Sequence, residues 1–242
     1  MPAMPRDYDS DPGRFLASNR WQDDDVHPEV AVRLRASGAR QVLDVGGGNG
    51  KLARLLPDLG IRCLLIDLSP VMLELAPRPA VRADGAALPV AGDSCDAVAA
   101  LYTLYHYDDP LLPIREARRV LRPGGLFVAC SASRDSAPEL ADVVPGWGSG
   151  TTFDADDAQD IVGSVFGEPG DEVSVERWDA PMHVLSTVDH AAAFLRCYGM
   201  GEQAAGAAAQ RLDLPLTLTM RGCFVYAAKA PRALPPGSPD AA

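Results

Sequence analysis

The segment Val42-Leu43-Asp44-Val45-Gly46-Gly47-Gly48-Asn49-Gly50-Lys51-Leu52 decides how the rest of this sequence can fold. An apolar run ends in a turn that is dense in glycine, and a helix-forming stretch follows at once. Glycine tolerates positive φ and lacks the Cβ that would keep a ligand away from the main chain. The unpaired amides at the start of the following helix favour a carboxylate, a phosphate or a ribose edge. The turn therefore predicts a ligand pressed against the backbone.

The spacing of the glycines argues against two common nucleotide-binding motifs. Gly46, Gly48 and Gly50 form the pattern G-x-G-x-G, whereas the dinucleotide fingerprint requires G-x-G-x-x-G. The phosphate-binding P-loop requires Ser or Thr directly after its Lys, and here Leu52 follows Lys51. The turn fits neither motif, so its ligand has to be inferred from the landmarks that come after it.

Strand and helix patterns alternate along the first half of the chain. The five strands predicted there are nearly continuous in apolar residues, as expected for strands buried on both faces: Gln41–Val45, Ile61–Asp67, Ala80–Ala83, Cys95–Leu101 and Leu126–Ser131. Such alternation requires right-handed crossovers and a parallel sheet. Later in the chain, we predict a sixth strand at Val173–Trp178 and a closing strand at Leu216–Lys229, antiparallel at the sheet edge or in a terminal hairpin.

The predicted fold is therefore α/β, a Rossmann-like, doubly wound and mainly parallel seven-stranded sheet with an antiparallel edge strand and a helical lid. Later helices are predicted from Phe153 to about Val165, from Thr187 to about Tyr198, and across Glu202–Leu212. We divide the chain into a leader or lid at 1–38, a ligand-binding core at 39–131, substrate-covering helices and closing strands at 132–230, and a disordered tail at 231–242.

The amino-acid composition indicates which kinds of partner this chain is expected to lack. The chain has 242 residues, 47% of them hydrophobic and 23% charged, which is ordinary for a globular protein. Its net charge of −11 argues against a nucleic-acid partner, because such binding depends on clustered Lys and Arg. The sequence has no apolar run of membrane-spanning length and no signal peptide, so we expect no membrane contact and a cytoplasmic location. Scattered Cys and His residues predict no disulfide framework and no metal site.

Taken with two landmarks downstream, the glycine turn resembles that of the class I S-adenosylmethionine-dependent methyltransferases, of the methyltransferase type 11 kind. The first landmark is Arg82-Ala83-Asp84-Gly85-Ala86-Ala87-Leu88-Pro89-Val90, and the second is Arg118-Arg119-Val120-Leu121-Arg122-Pro123-Gly124-Gly125. The resemblance covers residues 40–131, with a looser similarity over 221–229. It implies that the ligand at the turn is S-adenosyl-L-methionine. We interpret the second landmark as a structural helix stop and turn.

Several residues are implied to bind this cofactor. Asp67 ends the second strand, where an acid can take both ribose hydroxyls, although a capping or loop Asp is the alternative. The resemblance assigns the adenine amino group to Asp84 and the cofactor's amino group, or the shape of the turn, to Asp44. The full set predicted to bind the cofactor is Asp44, Gly46, Gly48, Gly50, Asp67, Leu68, Asp84, Gly85, Leu101 and Tyr102.

The acceptor side is predicted from residues with suitable chemistry near the strand ends. His106 follows the fourth strand, where it acts either as the catalytic general base or only packs or binds substrate. Tyr105 and Tyr107 form an aromatic wall for the acceptor or pack under the lid, and His183 borders the substrate pocket or lies elsewhere. Tyr8 and Trp21 are the substrate candidates in the N-terminal lid.

The resulting prediction is an S-adenosylmethionine-dependent methyltransferase that acts on a small-molecule acceptor as a monomer or homodimer. The Ala, Pro, Asp and Arg content suggests a GC-rich bacterial source, where relatives often modify secondary metabolites. One alternative keeps the cofactor but catalyses a cyclisation or rearrangement, and another is a non-catalytic partner subunit. Methyl transfer mainly requires alignment of the two reactants, so the residues at the adenosyl end do not separate these alternatives.

Overall fold

The computed structural model of the protein describes Asp9 and residues 26–149 and 151–232. The predicted substrate residues Tyr8 and Trp21 lie outside the described residues, as do nearly all of the predicted leader before residue 26 and most of the predicted tail. None of the helices within the described ranges is long and apolar enough to span a membrane.

The centre of the molecule is a seven-stranded sheet in the order β3-β2-β1-β4-β5-β7-β6. The strands are β1 (Gln41–Val45), β2 (Arg62–Asp67), β3 (Ala80–Arg82), β4 (Cys95–Leu101), β5 (Leu121–Ala132), β6 (Glu172–Leu185) and β7 (Leu216–Ala228). Strands β1 to β5 pair in parallel, whereas β7 pairs antiparallel with both β5 and β6. The predicted seven-stranded, mainly parallel sheet is confirmed. Strand β7 lies one place in from the edge, and β6 is the edge strand.

Helices cover both faces of the sheet. They are α1 (Val26–Ala36), α2 (Lys51–Leu55), α3 (Pro70–Leu75), α4 (Leu111–Val120), α5 (Ala158–Gly163), α6 (Val188–Cys197) and α7 (Glu202–Ala209), with short 3-10 turns at Pro57–Leu59, Leu104–His106 and Pro138–Leu140. Leu34 of α1 and Leu52 of α2 pack with Val42 on one face. Ile114 of α4 and Val162 of α5 belong to the apolar core on the other face. This arrangement is the predicted doubly wound fold.

Local capping explains where two helices begin. The Ser69 hydroxyl accepts a hydrogen bond from the Met72 amide, and Pro70 occupies the first helical position of α3, as predicted. Thr187 caps α6 in the same way by accepting from the His190 amide. Each cap satisfies an amide that would otherwise lack a partner within the helix.

Several predicted element boundaries were wrong, and three of them concern β6, β5 and the first crossover helix. The sixth strand extends to Leu185, well past the predicted end at Trp178, because β6 is an edge strand where Pro181 removes no needed hydrogen bond. His183 therefore lies inside β6, next to an irregularity in pairing after Pro181, rather than after the strand. The first crossover helix, predicted over 48–59, is divided into α2 and a 3-10 turn that begins at Pro57. The fifth strand begins at Leu121, five residues earlier than predicted.

A cover, defined as residues 133–149 and 151–157, α6, α7 and the parts of β6 and β7 that continue past Gly222, extends beyond the end of the parallel strands. Strand β5 stops at Ala132 opposite Gly222, whereas β6 and β7 remain paired as far as Leu185 and Leu216. This extension packs with α6, α7 and residues 137–144 around a separate apolar core that contains Phe194. Because β5 runs parallel to β1–β4, the cover stands beside the carboxyl edge of the sheet, where ligands of open α/β folds bind.

Candidate functional site

The glycine turn has the backbone that its sequence predicts. Gly46, Gly48 and Gly50 adopt φ values of +66°, +56° and +85°, a region that residues with a Cβ rarely occupy. The Gly46 amide donates to the Ile66 carbonyl at 2.7 Å, so the turn is fixed to the end of β2. A Cβ on Gly46 would overlap the side chain of Thr103, which follows β4. The turn is therefore closely packed on both sides, and its exposed surface is main chain.

Asp67 joins this turn to the start of α3. Its Oδ2 accepts the Gly48 amide at 2.8 Å, and its Oδ1 accepts the Ser69 amide at 2.8 Å. Burial raises the pKa of this carboxyl group, and the two amides act in the opposite direction. A carboxylate oxygen can accept more than one hydrogen bond, so both oxygens keep capacity for a ligand's hydroxyl groups.

Asp44 is the buried acid of the site. It is only 2% exposed, and among the described residues its Oδ2 has no hydrogen-bond partner. A Cβ on Gly47 would lie 2.6 Å from this oxygen, so the carboxyl group faces the glycine turn. Burial, with the nearby charge of Asp67, raises the pKa of Asp44 to about 7. Buried polar atoms almost always have a partner, so this oxygen is an acceptor that the described protein leaves open.

The predicted adenine turn is formed at the end of β3. The Asp84 side chain is exposed, and its Oδ1 accepts the Ala86 amide at 2.8 Å. Gly85 is buried, and a Cβ there would lie 2.5 Å from the hydroxyl oxygen of Tyr107. Tyr107, predicted as a substrate residue, thus contacts the predicted cofactor turn. Burial, followed by the charge of Asp84, raises the pKa of Tyr107 to about 12.

Side chains in and just before the second sequence landmark hydrogen bond to the segment that follows the predicted adenine turn. Glu116 of α4 accepts the Leu88 amide at 2.8 Å, and Arg119 donates to the carbonyls of Leu88 at 3.1 Å and Val90 at 2.9 Å. Arg119 also pairs with Glu116 at 2.6 Å. This landmark was predicted to be a structural helix stop and turn. Arg119, which belongs to it, also fixes the segment that follows Asp84 and Gly85.

Three further predicted cofactor residues surround the glycine turn. Leu68 is 53% exposed although it is apolar, and it follows Asp67 directly, where it could cover a flat ligand ring. Leu101 is buried at the end of β4. Tyr102 adopts φ +53°, and its amide donates to the Cys130 carbonyl at 3.0 Å. Strained backbone at a non-glycine residue is common at functional sites.

The predicted acceptor residues follow β4 in a 3-10 turn. His106 is half-buried, and its ring meets that of Tyr105 edge-on with centroids 4.5 Å apart. Tyr105 also lines a small cavity with Ser131, Ala132, Ser133, Arg134, Thr151 and Asp154. Both side chains thus lie beyond the ends of β4 and β5. His183 is separate from this group, because it packs 5.8 Å from the Phe194 ring in the cover.

A group of charged side chains in the cover contains none of the predicted site residues. Asp154 is 2% exposed, and its Oδ1 accepts the Asp156 amide at 3.1 Å. The Arg134 Nε lies 3.4 Å from the same Asp154 oxygen and 3.3 Å from Asp156 Oδ2, and the guanidinium also pairs with Asp157. The Asp-rich stretch was assigned to a helix N-terminus, whereas α5 begins only at Ala158.

Two contacts connect other segments to the site. Thr152 donates from its hydroxyl to the Tyr107 carbonyl at 2.7 Å, which ties the cover to the turn after β4. Ser69 donates to the carboxylate of Asp9, so Asp9 lies at the start of α3. In the parts of the chain that are described, no cluster of three His, Cys, Asp or Glu side chains could hold a metal ion.

Comparison with known proteins agrees with this geometry. Residues 43–129, which contain the glycine turn, Asp67 and Asp84, match the family model of a methyltransferase domain. Over these residues the chain is similar to the class I S-adenosylmethionine-dependent methyltransferases. A ubiquinone biosynthesis O-methyltransferase of Xanthomonas oryzae is 33% identical over 159 residues, which cover 56% of this chain and 66% of that relative.

Two other kinds of relative extend the comparison. An uncharacterized methyltransferase of Mycobacterium tuberculosis is 37% identical over 45% of this chain and 46% of its own length. The chain thus spans less than two thirds of these curated relatives. Among solved structures, the YcgJ protein of Bacillus subtilis aligns over 84% of this chain and 99% of its own, with TM-score 0.62 and 17% identity. The 4+2 cyclase SpnF aligns over 85% of this chain and 80% of its own, with TM-score 0.58 and 21% identity. At these identities the structures show a shared fold.

Proposed function

We propose that the protein binds S-adenosyl-L-methionine at the glycine turn and transfers its methyl group to a small-molecule acceptor. The observation that carries this proposal is Asp44, whose buried Oδ2 faces the turn without a partner among the described residues. A buried carboxylate is costly unless a cation pairs with it. The ammonium group of the cofactor's methionine end is such a cation.

The other predicted cofactor residues fit the adenosyl end. Asp67 would accept the ribose hydroxyls, because both of its oxygens are oriented by amides and keep accepting capacity. The exposed carboxylate of Asp84 would accept the adenine amino group, with the Gly85 main chain beside the ring and Leu68 across its face. When bound, S-adenosylmethionine supplies an electrophilic methyl group on a sulfonium. The protein contributes mainly the alignment of the two reactants.

The acceptor would approach from the side where Tyr105 and His106 follow β4. Tyr105 offers an aromatic surface beside the small cavity, and the imidazole of His106 could accept a proton from the acceptor at neutral pH. If His106 instead only positions the acceptor, His106→Gln would leave the pH profile of the rate unchanged. The similarity to an O-methyltransferase named for ubiquinone biosynthesis favours a hydroxyl acceptor on a small molecule.

The remaining parts of the proposal concern the location of the protein, its oligomeric state, its partners and its metabolic role. We infer that the protein acts in the cytoplasm as a monomer or homodimer and uses neither nucleic acid nor membrane as a substrate. The net charge of −11 supports the first of these exclusions. A role in bacterial secondary metabolism is proposed from composition and from the family resemblance. Substrate trials should therefore begin with small phenols and other hydroxylated metabolites.

Calorimetric titration with S-adenosylmethionine and S-adenosylhomocysteine tests the proposal directly. We expect clear binding to the wild type, weakened by ~1–3 kcal/mol in Asp67→Ala and in Asp84→Ala, as loss of a hydrogen bond to a charged group predicts. Asp58→Ala is the matched control, because Asp58 is an exposed residue of the 3-10 turn after α2. If the wild type binds neither compound, the proposal is wrong and only the fold stands.

A further inference from the structure

Two carboxylates at neighbouring strand ends differ in how the protein treats them. Asp67 at the end of β2 accepts two backbone amides, at 2.8 Å each. Asp44 on β1 is 2% exposed, and among residues 26–149 and 151–232 nothing donates to its Oδ2. The described protein thus supplies a donor to each oxygen of Asp67 and none to Oδ2 of Asp44.

We propose that Asp44 holds a proton in the ligand-free protein and releases it when a ligand's ammonium group binds, so that the turn selects ligands by charge at this end. The inference rests on the proposed function, since S-adenosylmethionine supplies such an ammonium. The proton moves from the Asp44 carboxyl to solvent, and the ionised carboxylate then pairs with the incoming cation. An adenosyl ligand without the amino-acid end leaves Asp44 protonated.

The surroundings of Asp44 support this assignment from each neighbouring element. On β2, the carboxylate of Asp67 repels a second negative charge, and the Cys63 thiol hydrogen bonds to the Asp44 main chain. On the other side, Asp44 pairs with Ala99 of β4, which carries no charge. Gly47, which has no side chain, lies in front of Oδ2. Burial, followed by the charge of Asp67, raises the pKa of Asp44 to about 7, close to physiological pH.

The proposal predicts how many protons leave when different ligands bind. With a pKa of about 7, binding of S-adenosylhomocysteine releases about three quarters of a proton at pH 6.5 and about a quarter at pH 7.5. Methylthioadenosine keeps the adenine and ribose but lacks the ammonium and carboxylate, so its binding releases no proton from Asp44. Contributions from Asp67 are common to both ligands and cancel in the difference. The affinity ratio between the two ligands rises about 20-fold from pH 5.5 to pH 7.5.

The experiment is calorimetric titration of the full chain with S-adenosylhomocysteine and with methylthioadenosine. Each titration is run at pH 6.5 in two buffers of different ionisation enthalpy, because the difference in observed heat counts the protons released. The expected result is a larger release with S-adenosylhomocysteine by about three quarters of a proton. Equal release with the two ligands would overturn the inference.

Two variants separate this inference from the proposed function. Asp44→Asn keeps the shape of the side chain and should abolish the difference in proton release while methylthioadenosine still binds. Asp58→Asn, at an exposed position of a 3-10 turn, should keep the difference. If neither ligand binds the wild type, the proposed function fails and the inference fails with it. If both bind and Asp44→Asn keeps the difference, the inference alone is wrong.

Discussion

The glycine-turn region and the cover each contain one fully buried carboxylate, and the two are treated differently. Asp44 and Asp154 are both 2% exposed. Asp154 accepts the Asp156 amide and lies 3.4 Å from the guanidinium nitrogen of Arg134, whereas among the described residues Asp44 Oδ2 has no donor. The cover therefore supplies a donor and a cation to its buried carboxylate, whereas the glycine-turn region leaves Asp44 Oδ2 for a ligand to pair with.

This difference distinguishes a structural acid from a functional one. A buried charge that the chain itself pairs recovers part of its desolvation cost and mainly fixes local geometry. A buried acid without a partner lowers the stability of the ligand-free protein and is then stabilised by binding. The four predictions below test the contrast between the two regions.

The largest effect is expected in the glycine turn itself. In Gly46→Ala the new Cβ would overlap Thr103 at a φ of +66°, so both sterics and backbone strain oppose it. We expect a loss of about 5 kcal/mol in the free energy of unfolding, measured by urea denaturation, and no binding of S-adenosylhomocysteine. Gly163→Ala, in α5 with open space around its Cβ, is the control and should be near neutral. A well-folded Gly46→Ala that still binds would contradict the account.

The next effect concerns the charge of Asp44. Its raised pKa means that the folded protein retains a proton that the unfolded chain has lost, so stability falls as pH rises from about 4 to about 7. Asp44→Asn removes this cost. The variant should be more stable than the wild type by about 4 kcal/mol at pH 8, with the gain vanishing near pH 4, in the absence of ligand. Urea denaturation across this pH range provides the measurement, and a gain independent of pH would contradict the assignment.

A smaller effect is expected when the acid of the cover loses its partner. Arg134→Met removes the guanidinium from Asp154 and should lower the free energy of unfolding by less than the two changes above. Since an unpaired carboxylate costs most when ionised, the loss should be larger at pH 8 than at pH 4. Binding of S-adenosylhomocysteine, measured by calorimetry, should be unchanged. A variant with normal stability and impaired binding would remove the distinction between the two regions.

The smallest effect is expected at the connection between the two regions. Thr152→Val removes the hydroxyl that donates to the Tyr107 carbonyl at 2.7 Å, and should cost ~1 kcal/mol of stability or less. Amide hydrogen exchange within residues 104–107 should become faster, because this contact ties the turn to the cover. The affinity for S-adenosylhomocysteine should stay the same. If amide exchange in residues 104–107 were unaltered, the hydrogen bond from Thr152 would not stabilise this turn.

Sequence patterns predicted the glycine-turn region well because its determinants are local. Positive φ at Gly46, Gly48 and Gly50 and the Ser69 cap depend on residues close in sequence. The proximity of Asp44 to Asp67 required the parallel pairing of β1 with β2, which the alternation of elements implied. The lack of a donor to Asp44 Oδ2, however, could be found only from the packed structure.

The cover was predicted less well because its contacts join distant, motif-free segments. Arg134 meets Asp154 across nineteen intervening positions that carry no recognisable spacing. The sixth strand was predicted to end at Trp178, whereas β6 continues through Pro181 to Leu185 because it is the edge strand of the sheet. Tyr107 was predicted to form an aromatic wall for the acceptor or to pack under the lid, and the contact of its hydroxyl with Gly85 brings together two separate loops.

The most direct measurement is a crystal structure of the protein with S-adenosylhomocysteine bound. The account predicts the ammonium nitrogen about 3 Å from Asp44 Oδ2, with the ribose hydroxyls on Asp67 and the adenine amino group on Asp84. It also predicts that Arg134 and Asp154 keep their pairing in the complex. A ligand bound elsewhere, or one whose ammonium faces solvent while Asp44 Oδ2 still has no partner, would contradict the central claim.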